Sequence, residues 1–286
     1  MVFLDESRLS WLTPLRRNGE KKASSGSEAD DKDCWRAFDI ADDMEKGFAR
    51  ELVFDFTQPL PESGQLWKFQ VQRSADKLQY RLYCDSGEFL LFAKLSRDGR
   101  RADIFLYDPL EESQNCLYDP ERPAFTLAGS AQEEWTLRQD RCDLCRHTPR
   151  RAPCACQGRS EVMRAWHTKE NVGEGISHCL DTSFQLDVAR GQDEQVRARA
   201  LRTEEQRLVT KLPVWNEKVE SLVLDFTGRR VLASAKNFQL ALEDAPEHVV
   251  CQYAKIGADA FGLDFRYPLT VVQAFALSLT TLHWVY

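Results

Sequence analysis

The segment Tyr267–Leu282, YPLTVVQAFALSLTTL, contains no charged residue and shows no polar face. On a helical wheel its apolar side chains surround the axis, and a helix of that kind is normally enclosed by protein. The segment is shorter than the roughly 18 apolar residues of a membrane-spanning helix, and it includes hydroxyl and amide side chains. We therefore expect a buried helix. Pro268 suits its first turn and Tyr267 should be extended, so a strand should lead directly into it.

The sequence before this helix predicts β-strands. Short runs rich in aromatic and β-branched residues alternate with turn-forming stretches such as PESG, DSGE and RDGR. Regularly spaced strands without intervening helical patterns indicate an antiparallel sandwich or barrel, and an apolar helix that follows them could fill a closed barrel. The predicted strands cover residues 52–56, 66–72, 78–84, 89–95, 102–108, 124–129, 222–226, 231–242, 248–256 and 260–267.

Composition sets the limits of size and environment. The 286 residues, 43% of them hydrophobic, can form one large or two modest domains, and a net charge of −7 argues against extensive nucleic-acid binding. Residues from 16 to 33 are charged or small, which is typical of a flexible segment. We predict a flexible N-terminal segment, residues 1–49, and a folded domain, residues 50–286. The first residues carry no secretory signal, which favours a cytoplasmic protein with reduced cysteines.

Several segments together resemble one known family, the tubby-like proteins. LPVWN, LVLDFTGR, ASAKNFQ and the run from Phe261 to Leu277 are similar to the C-terminal signature of the tubby domain, and weaker similarity upstream follows the order of its first strands. The signature segments are Leu212–Asn216, Leu222–Arg229, Ala233–Gln239 and Phe261–Leu277, and the upstream ones are Phe56–Gly64, Tyr80–Tyr83, Phe89–Leu91 and Asp108–Pro109.

The resemblance implies a mainly β fold, a closed antiparallel barrel of about twelve strands around a central hydrophobic C-terminal helix. It also implies a non-enzymatic protein without a cofactor. Tubby domains bind phosphatidylinositol 4,5-bisphosphate at the inner face of membranes, and animal members carry membrane proteins into cilia. On this basis the expected partners are an anionic phosphoinositide membrane and a protein cargo or transport complex. The expected location is the cytoplasmic face of the plasma membrane or a cilium, and the expected state is a monomer.

The family grips the lipid phosphates with a lysine-x-arginine pair, and an ungapped alignment places Asn115, Cys116 and Leu117 at that position. Both cations are therefore missing, and Arg122 is one candidate to replace them. A second candidate is the turn KLSRDGRR at residues 94–101. The guanidinium group of arginine can form paired hydrogen bonds with phosphate oxygens, and the family carries a basic loop between the same strands. The predicted headgroup-binding residues are Lys94, Arg97, Arg100, Arg101 and Arg122.

Four cysteines in a basic stretch raise the question of a metal. Cys142 and Cys145 have the spacing of a zinc knuckle, whereas Cys154 and Cys156 are closer together than structural zinc sites usually allow. We favour an ordinary reduced loop over a zinc site and predict no metal. For Lys236 and Asn237 in the ASAKNFQ segment we favour a structural role through buried hydrogen bonds.

The predicted function is a phosphoinositide-binding, membrane-associated adaptor. The main alternative is a protein–protein interaction module that keeps the tubby barrel and has lost specific lipid binding. A scramblase-like lipid function, suggested only by a similar barrel with a buried C-terminal helix, ranks third.

Overall fold

The strand-forming segments pair into a closed barrel whose neighbouring strands are all antiparallel. The computed structural model describes residues 56–60, 62, 64–87, 89–105, 123–129, 133–140, 160–189, 201–226 and 228–284. The strands are β1 Trp67–Arg73, β2 Gln79–Cys84, β3 Phe89–Leu95, β4 Arg101–Phe105, β5 Phe125–Gly129, β6 Glu134–Gln139, β7 Ser160–Val172, β8 Gly175–Ala189, β9 Leu201–Thr210, β10 Val214–Asn216, β11 Ser221–Val223, β12 Phe238–Leu242, β13 Ala245–Lys255 and β14 Ala260–Phe265.

Twelve of these strands form the barrel in the order β1-β14-β13-β12-β9-β8-β7-β6-β5-β4-β3-β2, and β2 pairs with β1 to close it. The remaining two, β10 and β11, form a separate hairpin. Closure leaves no free barrel edge, and the lumen must then be filled by side chains. The predicted twelve-stranded barrel is confirmed.

The strand prediction for residues 231–242 is wrong over its first part. Only Phe238–Leu242 joins the sheet, as β12. Asn237 explains the difference, because its amide nitrogen donates to the Leu232 carbonyl at 2.9 Å and its amide oxygen accepts from the Lys255 N–H at 2.9 Å. These bonds hold residues 231–237 in a loop. The predicted strand 222–226 is likewise shorter, ending at Val223.

Helix α1, Val271–Thr280, fills the lumen, and all of its residues are buried. The predicted enclosure is confirmed, but the predicted start is wrong. Thr270 is the N-cap and forms a capping box with Gln273, so the helix begins after Pro268, whose bond to Tyr267 is cis. A 3₁₀ turn, Thr281–His283, continues the helix. Among the described residues no helix is long and apolar enough to cross a membrane.

Hydroxyl groups in α1 are compatible with the apolar lumen because each bonds within the helix. Ser278 Oγ donates to the Phe275 carbonyl at 2.7 Å, and Thr280 Oγ1 donates to the Leu277 carbonyl at 2.8 Å. Gln273 Nε2 reaches the Val162 carbonyl on β7 at 3.3 Å. A buried polar group is tolerated when it finds such a partner. Residues 268–281 of the uncharged segment therefore pack as core.

Antiparallel pairing brings the β1–β2, β3–β4 and β7–β8 turns to one end of the barrel, which we call the turn end. Helix α1 also ends there. His283 contacts Gly99 in the β3–β4 turn, and the ring of Trp284 stacks on His178 of β8 at 5.1 Å between centroids. The turn end thus places the predicted cationic residues beside the end of the buried helix.

Candidate functional site

The β3–β4 turn, Ser96–Arg100, is a rigid support for the predicted cations. Asp98 Oδ1 accepts from Ser96 Oγ at 2.5 Å and from the Arg100 N–H at 3.1 Å, and these hydrogen bonds lower the pKa of Asp98. Ser96 Oγ also accepts from the Arg101 N–H at 3.0 Å, and the Gly129 N–H of β5 donates to the Arg100 carbonyl at 2.8 Å. The turn therefore holds its shape through its own side chains and its neighbour strand.

Lys94, Arg97, Arg100 and Arg101 are all exposed on this hairpin, and we call them the cationic turn residues. Arg101 Nε lies 2.7 Å from Asp103 Oδ1. Within the described part of the chain, Lys94, Arg97 and Arg100 have no carboxylate within ion-pair distance. The structure brings four of the five predicted headgroup residues together, with three charges available to a ligand.

Other predicted site residues lie outside the described residues. Arg122 and the Asn115–Leu117 stretch are among them, as are the four cysteines that were considered, and disfavoured, as zinc ligands. In the described ranges no group of three or more histidine, cysteine or acidic residues could hold a metal ion. The described cysteines are buried thiols, and burial raises the pKa of Cys179 to about 11. The reduced cysteine loop without a metal and the 1–49 and 50–286 boundaries remain predictions.

The β1–β2 turn repeats the hydrogen bonds of the β3–β4 turn. Ser74 Oγ accepts from the Gln79 N–H at 3.0 Å, and Asp76 Oδ1 accepts from the Leu78 N–H at 3.0 Å. The residue that follows the aspartate has positive φ in both turns, 61° at Lys77 and 66° at Gly99. Since lysine adopts this conformation in one turn, backbone conformation alone does not require glycine at position 99.

A contact with His283 accounts for Gly99. His283 Nε2 lies 3.0 Å from the Gly99 carbonyl oxygen, and a Cβ at position 99 would lie 2.6 Å from the ring. The imidazole also stacks near Trp135 of β6, with ring centroids 6.4 Å apart and planes 19° apart. Sequence reasoning missed His283, and the only signal for it was a glycine where the matching turn has lysine.

Lys236 stabilises the end of the buried helix. Its Nζ donates to the carbonyls of Thr281 at 2.8 Å, Leu282 at 2.6 Å and Trp284 at 3.2 Å. A cation here also complements the negative end of the helix dipole. Burial, together with the charges of Arg73 and Lys77, lowers the pKa of Lys236 to about 8. The structural role predicted for Lys236 and Asn237 is confirmed.

Residues of three signature segments meet on the outer wall of the barrel. Arg229 forms an ion pair with Asp264 at 2.6 Å, and Gln252 Nε2 donates to Asp264 Oδ2 at 2.9 Å. Gln239 Nε2 extends the chain of contacts to Gln252 Oε1 at 3.3 Å and to the Asp225 carbonyl at 2.8 Å. This outer-wall network fixes the 224–237 loop against β12, β13 and β14, so we assign it a structural role.

Apolar side chains are exposed around the β10–β11 hairpin. Trp215 and Leu222 of the hairpin pack over the β7–β8 turn, where Gly173 and Gly175 leave room for them. Cavities of about 840 and 720 Å³ flank the hairpin. The exposed large hydrophobic residues of the described ranges all lie in this region: Ile176, Leu212, Val214, Val219, Val223 and Leu232.

Comparison with known proteins agrees with the fold. Residues 144–284 match the model of the Tub family. The chain is 47% identical over 76 residues to Tubby protein homolog 1 of Caenorhabditis elegans, covering 27% of this chain and 18% of that protein. It is also 47% identical over 74 residues to Protein king tubby of Drosophila sechellia, covering 26% of this chain and 17% of that protein. The matched region thus spans less than a fifth of these relatives. By this match over residues 144–284, which include strands β7 to β14 and helix α1, the chain is identified as tubby-like.

Proposed function

We propose that the protein is a non-enzymatic adaptor that docks on anionic phosphoinositide membrane through the cationic turn. The match to the Tub family supports a tubby-like role, and phosphatidylinositol 4,5-bisphosphate is the expected ligand. The membrane would be the cytoplasmic face of the plasma membrane or of a cilium. A protein cargo or transport complex would be the second partner, and the protein would act as a monomer.

One observation carries this proposal. Lys94, Arg97 and Arg100 project from a hydrogen-bonded turn and have no carboxylate partner among the described residues. Cations near an anionic bilayer contribute about 1 kcal/mol each, and arginine adds paired hydrogen bonds to phosphate. The hydrogen bonds of the turn fix the backbone that carries Arg97 and Arg100, so less backbone conformational entropy is lost on binding.

Co-sedimentation with vesicles tests the proposal. Vesicles that contain phosphatidylinositol 4,5-bisphosphate are compared with vesicles of equal charge made with phosphatidylserine. Preference for the bisphosphate supports a specific site, and charge reversal of Arg97, Arg100 and Arg101 should abolish that preference. Equal binding to both vesicles would reduce the function to general electrostatics. Binding to neither would contradict the proposal.

A second candidate function is a protein-interaction module that has lost lipid binding. The exposed aliphatic side chains beside the β10–β11 hairpin favour it, because contiguous apolar surface commonly marks a protein contact. Among the residues that the structure describes, the hairpin strands pair with each other alone, so an extended peptide with aliphatic side chains could add along one edge. A photocrosslinker at Val214 should label peptides selected for binding to the purified protein, whereas one at the exposed His248 should not.

A further inference from the structure

The contact between His283 and Gly99 joins the buried helix to the cationic turn. Arg97 and Arg100 lie two and one residues from Gly99, so displacement of the Gly99 carbonyl changes the direction of both side chains. His283 immediately follows the segment that Lys236 anchors through the Thr281 and Leu282 carbonyls. The end of the helix therefore holds the imidazole in place, and the hydrogen bond from the imidazole positions the β3–β4 turn.

We propose that His283 is a positioning residue for anion binding by the cationic turn. Its Nε2–H donates to the Gly99 carbonyl, and the stacking on Trp135 holds the ring in the orientation that this bond needs. The inference rests on the proposed function, and it names a residue through which the barrel core sets the spacing of Arg97 and Arg100. The recognised chemistry is a phosphorylated headgroup in a bilayer.

The two turns provide the argument for a dedicated contact. They share their hydrogen bonds and their positive φ, yet Lys77 occupies the position in one and Gly99 in the other. The difference is the imidazole ring, which leaves no room for a Cβ at position 99. Glycine at position 99 therefore allows His283 to form its hydrogen bond with the β3–β4 turn. The β1–β2 turn has lysine at the matching position.

Four variants separate the hydrogen bond from the ring. His283→Gln keeps an N–H donor at about the reach of Nε2, whereas His283→Phe keeps the stacked ring and removes the donor. His283→Ala removes both. Gly99→Asn tolerates positive φ but places a Cβ against the imidazole, and Gly87→Asn is its control because no atom lies within 4 Å of a Cβ there. His248→Ala controls for loss of an exposed histidine.

Two properties of these variants are measured in the full chain. The first is the ratio of affinities for bisphosphate and phosphatidylserine vesicles of equal charge. The second is hydrogen exchange of the Gly99, Arg100 and Arg101 amides. Loss of one hydrogen bond to the turn should lower the affinity ratio about two- to tenfold in His283→Ala, His283→Phe and Gly99→Asn. Exchange of the three amides should rise in the same variants. His283→Gln should restore both readouts, and the two controls should resemble the wild type.

The outcomes distinguish this inference from the proposed function. If the wild type prefers bisphosphate and His283→Phe keeps that preference, the positioning role is wrong while lipid binding stands. If the wild type shows no preference, both the proposed function and the lipid role of His283 are overturned. Unchanged amide exchange in His283→Ala would overturn the contact itself, whatever the vesicles show.

Discussion

The guanidinium of Arg229 lies across the carboxylate of Asp264, with Nε 2.8 Å from one oxygen and Nη2 2.6 Å from the other. Both side chains are largely removed from solvent, with 16% and 2% of their surfaces exposed. A guanidinium and a carboxylate paired in this way form two charge-assisted hydrogen bonds at once. Removal of either partner leaves the buried charge of the other without those bonds. The pair therefore connects the loop that follows β11 to β14.

Asp264→Asn should destabilise the fold because it leaves the Arg229 charge without its counter-ion. We expect the free energy of unfolding in urea to fall by about 3 kcal/mol. Asp259→Asn is the matched control, since Asp259 pairs with Arg73 but keeps 46% of its side chain exposed. Because water reaches the Asp259 carboxylate, its loss should cost less than the loss of the buried Asp264 carboxylate. Equal losses in the two variants would contradict the role given to the outer-wall pair.

Gly262→Ala should also weaken the outer wall. A Cβ at position 262 would lie 2.7 Å from Arg229 Cδ, and the ion pair prevents that side chain from moving away. We expect a loss of about 1–3 kcal/mol in the free energy of unfolding. In an Arg229→Ala background most of this cost should disappear, while Gly64→Ala, with open space around it, should be neutral. Additive effects of the two substitutions would count against the contact.

Lys236→Met should destabilise the end of the buried helix. The substitution keeps most of the apolar stem but leaves three carbonyls without their donor, which should cost about 1–3 kcal/mol at neutral pH. Urea unfolding measures the loss. Lys255→Met is a control, since no side-chain hydrogen bond of Lys255 is present among the described residues.

The same lysine predicts a pH dependence. Its pKa in the folded protein is about 8, whereas an unfolded lysine titrates near 10.4. Between these values the unfolded chain binds more protons than the folded chain, so this group makes the free energy of unfolding rise with pH. The stability advantage of the wild type over Lys236→Met should therefore grow from about pH 8 to pH 10. A constant difference across this window would show that Lys236 does not titrate there.

Single neutralisations should rank the cationic turn residues. Arg97→Gln and Arg100→Gln should each weaken binding to bisphosphate vesicles about fivefold, as expected for loss of one cation near the membrane surface. Arg101→Gln should have a smaller effect, because Arg101 already pairs with Asp103. Sedimentation at several vesicle concentrations gives the ranking. An effect of Arg101→Gln larger than that of Arg97→Gln would contradict it.

The sequence predicted the parts of the fold that depend on local pattern. The uncharged run from Tyr267 to Leu282 indicated an enclosed helix, and the structure confirms it because every residue of α1 is buried. Strands β6 to β10 were missed, although β7 and β8 are the longest strands that the structure describes. Exposed polar residues such as Arg164, Lys169 and Glu170 interrupt their apolar pattern, and a strand with one face in solvent carries a weaker signal.

Tertiary contacts explain what the sequence could not reveal. The run 231–237 has the composition of a strand, but Asn237 binds the backbone on both sides of it and keeps it as a loop. The cationic turn was recognised from its own residues, whereas His283 lies 184 residues from Gly99 in the chain. The local signal of this contact was a single glycine, which does not identify its partner. Lipid binding by the turn remains a prediction.

Helix α1 follows the fourteen described strands in the chain, and this order has a consequence for protein synthesis. The ribosome releases the wall of the barrel before it releases the residues that fill the lumen. Until then Phe69, Leu263 and the other inward-facing side chains have no helix to pack against. Exposed apolar surface and unpaired strands in such an intermediate favour aggregation, so nascent chains would depend on chaperones until the helix emerges.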